Sequence, residues 1–239
     1  MSVANVHSKW VRGNLVYYQT HRKRLVDAVG IDVVKYIDDF ISFPVDDATG
    51  DPVAWTTTMV EAGTGNSTVT SADASGGAII LTTDDNDNDG VTIQLNGESF
   101  ILKSTNDVYF GAFGITVSEA TQSDLFVGLC PTDTTIFTSD SARVGFQSVD
   151  ASTDFVGLAG KTADISAALH TLTTTAFDAE FYWNGTAIET FIDGVSTGAL
   201  DITNIPTGEL RVSIEWLNGL ANATCTVQFD KVVCVQIGR

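Results

Sequence analysis

From about Phe40 to the C-terminus, short apolar runs alternate with clusters of Gly, Asn, Asp and Thr. This is the pattern of half-buried strands separated by tight turns. Gly76-Gly77 opens Ala78 to Leu81, Asp89-Gly90 opens Val91 to Leu95, and Asn96-Gly97 turns into Ser99 to Leu102, each a hairpin signal. Longer strands are expected at Val108 to Val117, Leu125 to Cys130, Arg143 to Ser148, Asp154 to Leu158 and Leu169 to Thr174. The last third adds Phe177 to Trp183, Ile188 to Ile192, Leu210 to Trp216 and Thr224 to Val235. No helical periodicity interrupts this series and no repeat period runs through it, so the pattern predicts an all-β, antiparallel two-sheet sandwich rather than a propeller or solenoid. Phe181, Trp183 and Phe191 are expected to be at least partly buried, from the alternation in a hairpin packed on one face.

The first 39 residues have a different texture. Leu15 to Tyr18 and Leu25 to Ala28 pair as a hairpin around Thr20 to Arg24, or else Leu25, Val29, Val33, Ile37 and Phe40 mark one face of a helix; the pattern leaves both open. Charge sharpens the contrast. The whole chain carries −18, yet residues 1–35 hold six cations against Asp27 and Asp32, a net of +4. We therefore expect a basic N-terminal arm, residues 1–39, on an acidic sandwich domain, residues 40–239, with the arm separable from the stability of the body. Lys9, Trp10, Arg12, Tyr17, Tyr18, Arg22, Lys23 and Arg24 are its candidate partner-binding residues: Trp10, an aromatic between two cations, is the expected anchor.

The stretch Phe181-Tyr182-Trp183-Asn184-Gly185, followed by Phe191-Ile192-Asp193-Gly194, resembles the concanavalin A-like (laminin-G-like) jelly roll, in which two short strands end in such turns. Val108 to Val117 and Leu125 to Leu129 look like its paired central strands and Val227 to Val233 like its closing strand, so the likeness spans roughly residues 53–239. Trp10 to Tyr18, Pro44 to Asp47 with Thr49 to Pro52, and Gln122 to Cys130 resemble jelly-roll virion proteins of tailed bacteriophages. That resemblance implies a capsid decoration (cement) protein on the outer capsid surface of the virion, bound to a shell of major capsid protein and trimeric by family analogy. The alternative is a carbohydrate-binding, lectin-like module of a phage fibre or surface protein.

Little in the residues points to catalysis. The two-carboxylate strand of many glycosidases, Glu-x-Asp-x-Glu, is missing, and Glu180, Glu189 and Glu215 sit singly at positions expected to face solvent. Gly194-Val195-Ser196-Thr197-Gly198 has the spacing of a nucleophile elbow but strands on both sides, and reads as a hairpin turn. His7, His21 and His170 are scattered, and no phosphate-cradling glycine loop occurs. The expectation is a chain that is not an enzyme, needs no cofactor and binds no nucleic acid. One candidate metal site is Asp85, Asp87 and Asp89, oxygen donors alternating as in the first half of a calcium loop, although position twelve is Asn96. Cys130, Cys225 and Cys234, odd in number and in apolar runs, read as buried free thiols. Met1 to Trp10 lacks the apolar run of a signal peptide and no segment has the length of a membrane helix, so synthesis in the host cytoplasm and no membrane contact are expected. The sequons at Asn66, Asn184 and Asn222 then read as turn residues.

Overall fold

The structure is a computed structural model that describes residues 6–19, 24–42, 54–61, 67–72, 75–161, 164–220 and 223–238. All of its regular elements are strands. In chain order they are β1 (Val6–Val11), β2 (Asn14–Gln19), β3 (Arg24–Val29), β4 (Val33–Asp38), β5 (Trp55–Val60), β6 (Thr68–Ala72) and β7 (Ala78–Thr82). Next come β8 (Gly90–Leu95), β9 (Phe100–Ile101), β10 (Asp107–Val117), β11 (Ser123–Cys130), β12 (Arg143–Ser148), β13 (Asp154–Gly160) and β14 (Ile165–Thr171). The series closes with β15 (Phe177–Trp183), β16 (Ile188–Ile192), β17 (Val195–Ala199), β18 (Glu209–Asn218), β19 (Thr226–Phe229) and β20 (Lys231–Ile237).

Two antiparallel sheets pack face to face. Sheet I runs β17-β16-β15-β10, and the long strand β10 is continued on its far side by β20 and β4 along one half and by β19, β7 and β6 along the other. Sheet II runs β14-β13-β12-β11-β18-β8-β5, with β9 beside the start of β18. Alternation along each strand sends Val108, Phe110 and Ala112 of sheet I and Leu125, Val127, Val212, Ile214 and Trp216 of sheet II into one shared core. Phe110 stacks on Phe181 with centroids 5.2 Å apart, and Phe155 meets Phe177 edge-on at 5.1 Å. Phe181, Trp183 and Phe191 are buried, as are Trp55, Trp216 and the three free cysteines. The all-β sandwich expected from the alternation is the fold.

Several expectations need correction. Residues 25–40 form β3 and β4 and no helix, with β2 and β3 paired through Tyr18 and Leu25 as the hairpin alternative had it. The N-terminal segment is also not an arm up to residue 39, because β4 pairs along its whole length with β20 and belongs to sheet I. The strand expected from Thr224 to Val235 breaks at Asp230, whose amide bonds the Phe113 carbonyl, so that β19 and β20 share β10 end to end. The strand expected at Leu169 to Thr174 lies earlier, as β14. Turn signals at Asp89-Gly90 and Asn96-Gly97 close no hairpins: β7 and β8 lie in different sheets, and β9 runs on in the direction of β8 along β18. A turn motif specifies local backbone geometry, while the sheet that receives the next strand depends on which apolar face it must bury.

Candidate functional site

The sheet of β1, β2 and β3 lies on the outside of sheet I. A tight turn joins β1 to β2 with positive φ at both central residues, 47° at Arg12 and 79° at Gly13, the mirror-image turn whose twist suits a hairpin. Alternation then divides the meander into two faces. Val16 and Ala28 point inward and pack with Tyr109, Val233, Val235 and Ile237 on the outer face of sheet I. Arg12 staples the turn down: its Nε donates to Asp107 Oδ1 at 3.1 Å, while the Tyr182 hydroxyl donates to Asp107 Oδ2 at 2.6 Å. Burial and the neighbouring Asp107 carboxylate both push the Tyr182 phenol up.

The register places Trp10 opposite Leu15 and Leu15 opposite Val29, with Ser8, Tyr17 and Asp27 forming the next row on the same outward face. Trp10 is 74% exposed and Tyr17 and Val29 are exposed as well. A large indole presented to solvent on a sheet is uncommon, since Trp normally hides most of its surface. Diagonal neighbours on adjacent strands are within reach for aromatic side chains, so Trp10 and Tyr17 form one aromatic patch bordered by the polar groups of Ser8, Gln19 and Asp27. Asp27 is held by Lys35 Nζ at 2.7 Å.

Of the residues expected to bind a partner, the structure brings Trp10 and Tyr17 together on this outward face. Lys9 and Tyr18 lie on the opposite face, with the Lys9 ammonium 4.7 Å from the Tyr18 ring centre. Arg12 is turned onto Asp107. Arg22 and Lys23 lie outside the described residues, as does the Arg24 side chain, and so do Pro44 to Pro52 and the sequons at Asn66 and Asn222. Asn184 sits at the β15–β16 turn, where its Oδ1 accepts from the Thr186 and Ala187 amides.

The outer face of sheet II carries a second concentration of polar groups. The β11–β12 connection, residues 131–142, folds back across this face instead of projecting away. Gln94 on β8 donates to the Pro131 carbonyl at 3.0 Å and accepts from the Asp133 amide at 2.9 Å. Glu215 on β18 accepts from the Thr92 hydroxyl at 2.9 Å, the Ile136 amide at 3.2 Å and the Phe137 amide at 2.8 Å. Ile136 fills an apolar pocket of Phe126, Cys130 and Leu158. Arg143, wholly buried, lies over the Phe126 ring, donates to the Ser139 carbonyl at 3.4 Å and to Gln147 Oε1 at 3.3 Å. Burial pushes the Glu215 carboxyl above its ordinary range in spite of these donors, and pushes the Cys130 thiol up to about 12. Asp124 on the neighbouring strand is raised as well, by burial and by Asp150 and Asp87.

Glu180 and Glu215 were expected at solvent-facing positions, and both are buried. The strand pattern placed them correctly outside the main core, but each sheet's outer face is itself covered near them. Glu180 Oε2 accepts from the Tyr109 hydroxyl at 2.5 Å, and Tyr109 lies beneath the meander. Residues 131–142 cover Glu215.

The acidic loop also differs from the calcium-loop expectation. Asp85 and Asp87 are exposed, whereas Asp89 is buried and accepts from Asn86 Nδ2 at 3.0 Å. The carboxylates that converge are those of Glu61, Asp84 and Asp89, within 4.8 Å of one another. Glu61 is far away in sequence, so spacing within the loop held no signal for it. Ser196 of the elbow-like stretch is a β17 position that donates to Glu189, in keeping with a hairpin.

The class defined by these sheets is the jelly-roll sandwich of the concanavalin A-like type. The sequence matches no family model and no curated protein. Among solved structures the fold is similar to that of a Shewanella oneidensis MR-1 protein of unknown function, with a TM-score of 0.59 at 8% identity over 87% of this chain and 88% of that one. It is similar also to a glycoside hydrolase family 16 endo-glucanase from Bacteroides ovatus, at 0.54 and 13% identity over 83% and 99% of the two chains. An endo-β-1,4-glucuronan lyase from the fungus Trichoderma reesei gives 0.54 at 9% identity over 83% and 94%. At such identities the likeness speaks for the fold alone. It nevertheless corrects the expectation of a non-enzyme: hydrolases and a lyase stand among the proteins with this fold, so one missing glycosidase strand pattern is no ground for excluding catalysis.

Proposed function

We propose that the protein binds a glycan on the outward face of β1, β2 and β3. The observation that carries this reading is Trp10, exposed beside Tyr17 on a docked, well-paired sheet and bordered by hydroxyl, amide and carboxylate groups. A pyranose ring presents a flat array of C–H bonds on one side and hydroxyls around its rim. An aromatic platform desolvates the first and polar neighbours bond the second. The carbohydrate-active proteins that share the fold support the same reading.

The test is a glycan array followed by calorimetry on the best ligand. Trp10→Ala should weaken binding by about tenfold or more, the scale of an interface anchor, and Tyr17→Ala by less. Affinity unchanged by both would defeat the assignment of this face. Shell attachment as a trimer on a virion surface, the role implied by the phage resemblance, draws no support from the compared structures; capture by purified shells with no array signal would restore it.

A second reading, cleavage of a glycan held on the outer face of sheet II, across the sandwich from Trp10, is supported by Glu215, whose carboxyl burial raises above its ordinary range, the direction a general acid requires. Release of reducing ends or of unsaturated products from a glycan, lost in Glu215→Gln and kept in Trp10→Ala, would establish it.

A further inference from the structure

We infer that residues 131–142 form a displaceable strap over the outer face of sheet II, latched by Glu215, that gates access to the polar surface beneath it. The connection joins adjacent antiparallel strands, for which a turn of a few residues would suffice. Its twelve residues instead cross β18 and reach β8. The strap pairs with no strand. Within it, the Thr138 and Ser139 amides donate to the Thr135 carbonyl. What holds it are side chains that reach it from outside: Glu98 and Gln94 at its start, Thr92 and Glu215 at its middle, Arg143 and Lys161 near its end, with Ile136 buried and Phe137 packed against the same apolar cluster. A segment held by two adjacent apolar side chains and by side-chain bonds, with no ladder of its own, opens at lower free energy than the strands around it.

The row beneath the strap is polar and buried: Thr92 and Gln94 on β8, Ser213 and Glu215 on β18, Arg143 and Gln147 on β12. Lifting the strap would expose the hydrogen-bonding groups of β8 and β18, with Glu215 among them, beside the apolar Phe126 and Cys130 of β11 and the polar Arg143 and Gln147 of β12 beyond.

The direction of control follows from linkage. The closed strap buries Glu215, so the closed form holds its proton more tightly than the open one, in which water reaches the carboxyl. Through Glu215 acid therefore favours the closed strap, and opening becomes easier as pH rises through the interval above the ordinary carboxylate value; Glu98, whose carboxyl the Thr132 hydroxyl and amide lower, acts the other way, below that value. The charged and titratable groups facing Glu215 are Arg143 from β12, Cys130 from β11, Asp133 from the strap and, along β18 itself, Arg211, which reaches Glu98 at 4.0 Å. Arg143 opposes the shift and Asp133 adds to it. Cys130 stays a thiol throughout, raised as it is to about 12.

Hydrogen exchange on the full chain tests the inference without any ligand, so its outcome does not depend on the glycan reading. Protection of the Ile136 and Phe137 amides, corrected for intrinsic chemistry, should fall between pH 4 and 7 while β11 and β18 keep theirs. Glu215→Gln, neutral at every pH, should remove the fall in strap protection between pH 4 and 7, and Glu215→Ala, which deletes the acceptor of the Ile136 and Phe137 amides, should lower that protection by about tenfold. Thr92→Val, which keeps the shape and deletes one latch hydroxyl, supplies a milder variant should the first perturb the sheet. Its strap protection should fall by less, with the pH dependence retained. Labelling of Cys130, which sits under Ile136, should speed up in parallel, with Cys225 and Cys234 in the main core as unreactive references. Strap amides that exchange only together with β11 and β18, or protection independent of pH in the parent, would overturn the latch.

Discussion

Two features that the sequence marks, Trp10 and the aspartates of the acidic loop, came out differently. Trp10 stands free of the core because the partner positions across its strands, Leu15 and Val29, share the outward face, and its inward neighbours Val16 and Ala28 already fill the contact with sheet I. The loop aspartates scatter, since consecutive turn residues point in divergent directions unless a ligand gathers them. Like charges gathered at Glu61, Asp84 and Asp89 repel one another, and their mutual distances of at most 4.8 Å are short enough for the repulsion to matter despite partial solvent access. Asp84→Asn should therefore raise the melting temperature in the presence of a chelator, by about 2–4 °C for each kcal/mol of repulsion relieved in a chain of this size. Calorimetry reads the shift. Repeating the melt with calcium places any ion: a rise in the parent that the variant lacks assigns it to Glu61, Asp84 and Asp89 and not to Asp85 and Asp87.

At the level of elements, the N-terminal meander is a cover for sheet I as much as a recognition surface. It hides Tyr109, Val233, Val235 and Ile237, and these outer positions of β10 and β20 would otherwise form an exposed apolar strip. The expectation that the first 35 residues can be removed without cost to the body is therefore revised. Truncation after Lys35 would uncover that strip and strip half of β4 from β20, leaving β20 as a raw edge. The truncated chain should melt lower and bind a hydrophobic dye that the parent ignores. A subtler probe keeps the meander: Val16→Ala removes two methyl groups from the docked face, about 1.5 kcal/mol by the usual value per buried carbon, and should lower the melting temperature by about 3–6 °C. A loss of that size with Trp10 ligand binding intact would separate docking from recognition. No change on either would mean that the meander is not seated on sheet I.

For the molecule as a whole, charge sets the terms of association. The chain carries −18 overall with its cations concentrated near the N-terminus, an arrangement that suits an anionic partner if those cations remain free. Arg12 and Lys35 are committed to Asp107 and Asp27, and Lys9 lies over Tyr18, away from the aromatic patch. Binding at Trp10 should accordingly depend little on salt. Between 0.1 and 1 M, where the Debye length falls from about 10 Å to 3 Å, the affinity for the array ligand should change by less than about threefold. A steep loss measured by calorimetry would return the basic residues to the centre of recognition.

The two-sheet sandwich, most strand positions, the burial of Trp183 and the free thiols were legible in the sequence, because alternation along a strand is a local signal that each apolar residue repeats. The exposure of Trp10 was legible too, from its polar and cationic neighbours. The burial of Glu180 and Glu215, the membership of β4 in sheet I and the meeting of Glu61 with Asp84 and Asp89 were not. Each depends on what lies across an outer face or on the next sheet, and strand periodicity says which side a residue faces without saying what else comes to cover that side. Only the tertiary structure decides it, because the free energy of a buried carboxylate or a capped sheet belongs to the contact between distant segments and to neither segment alone.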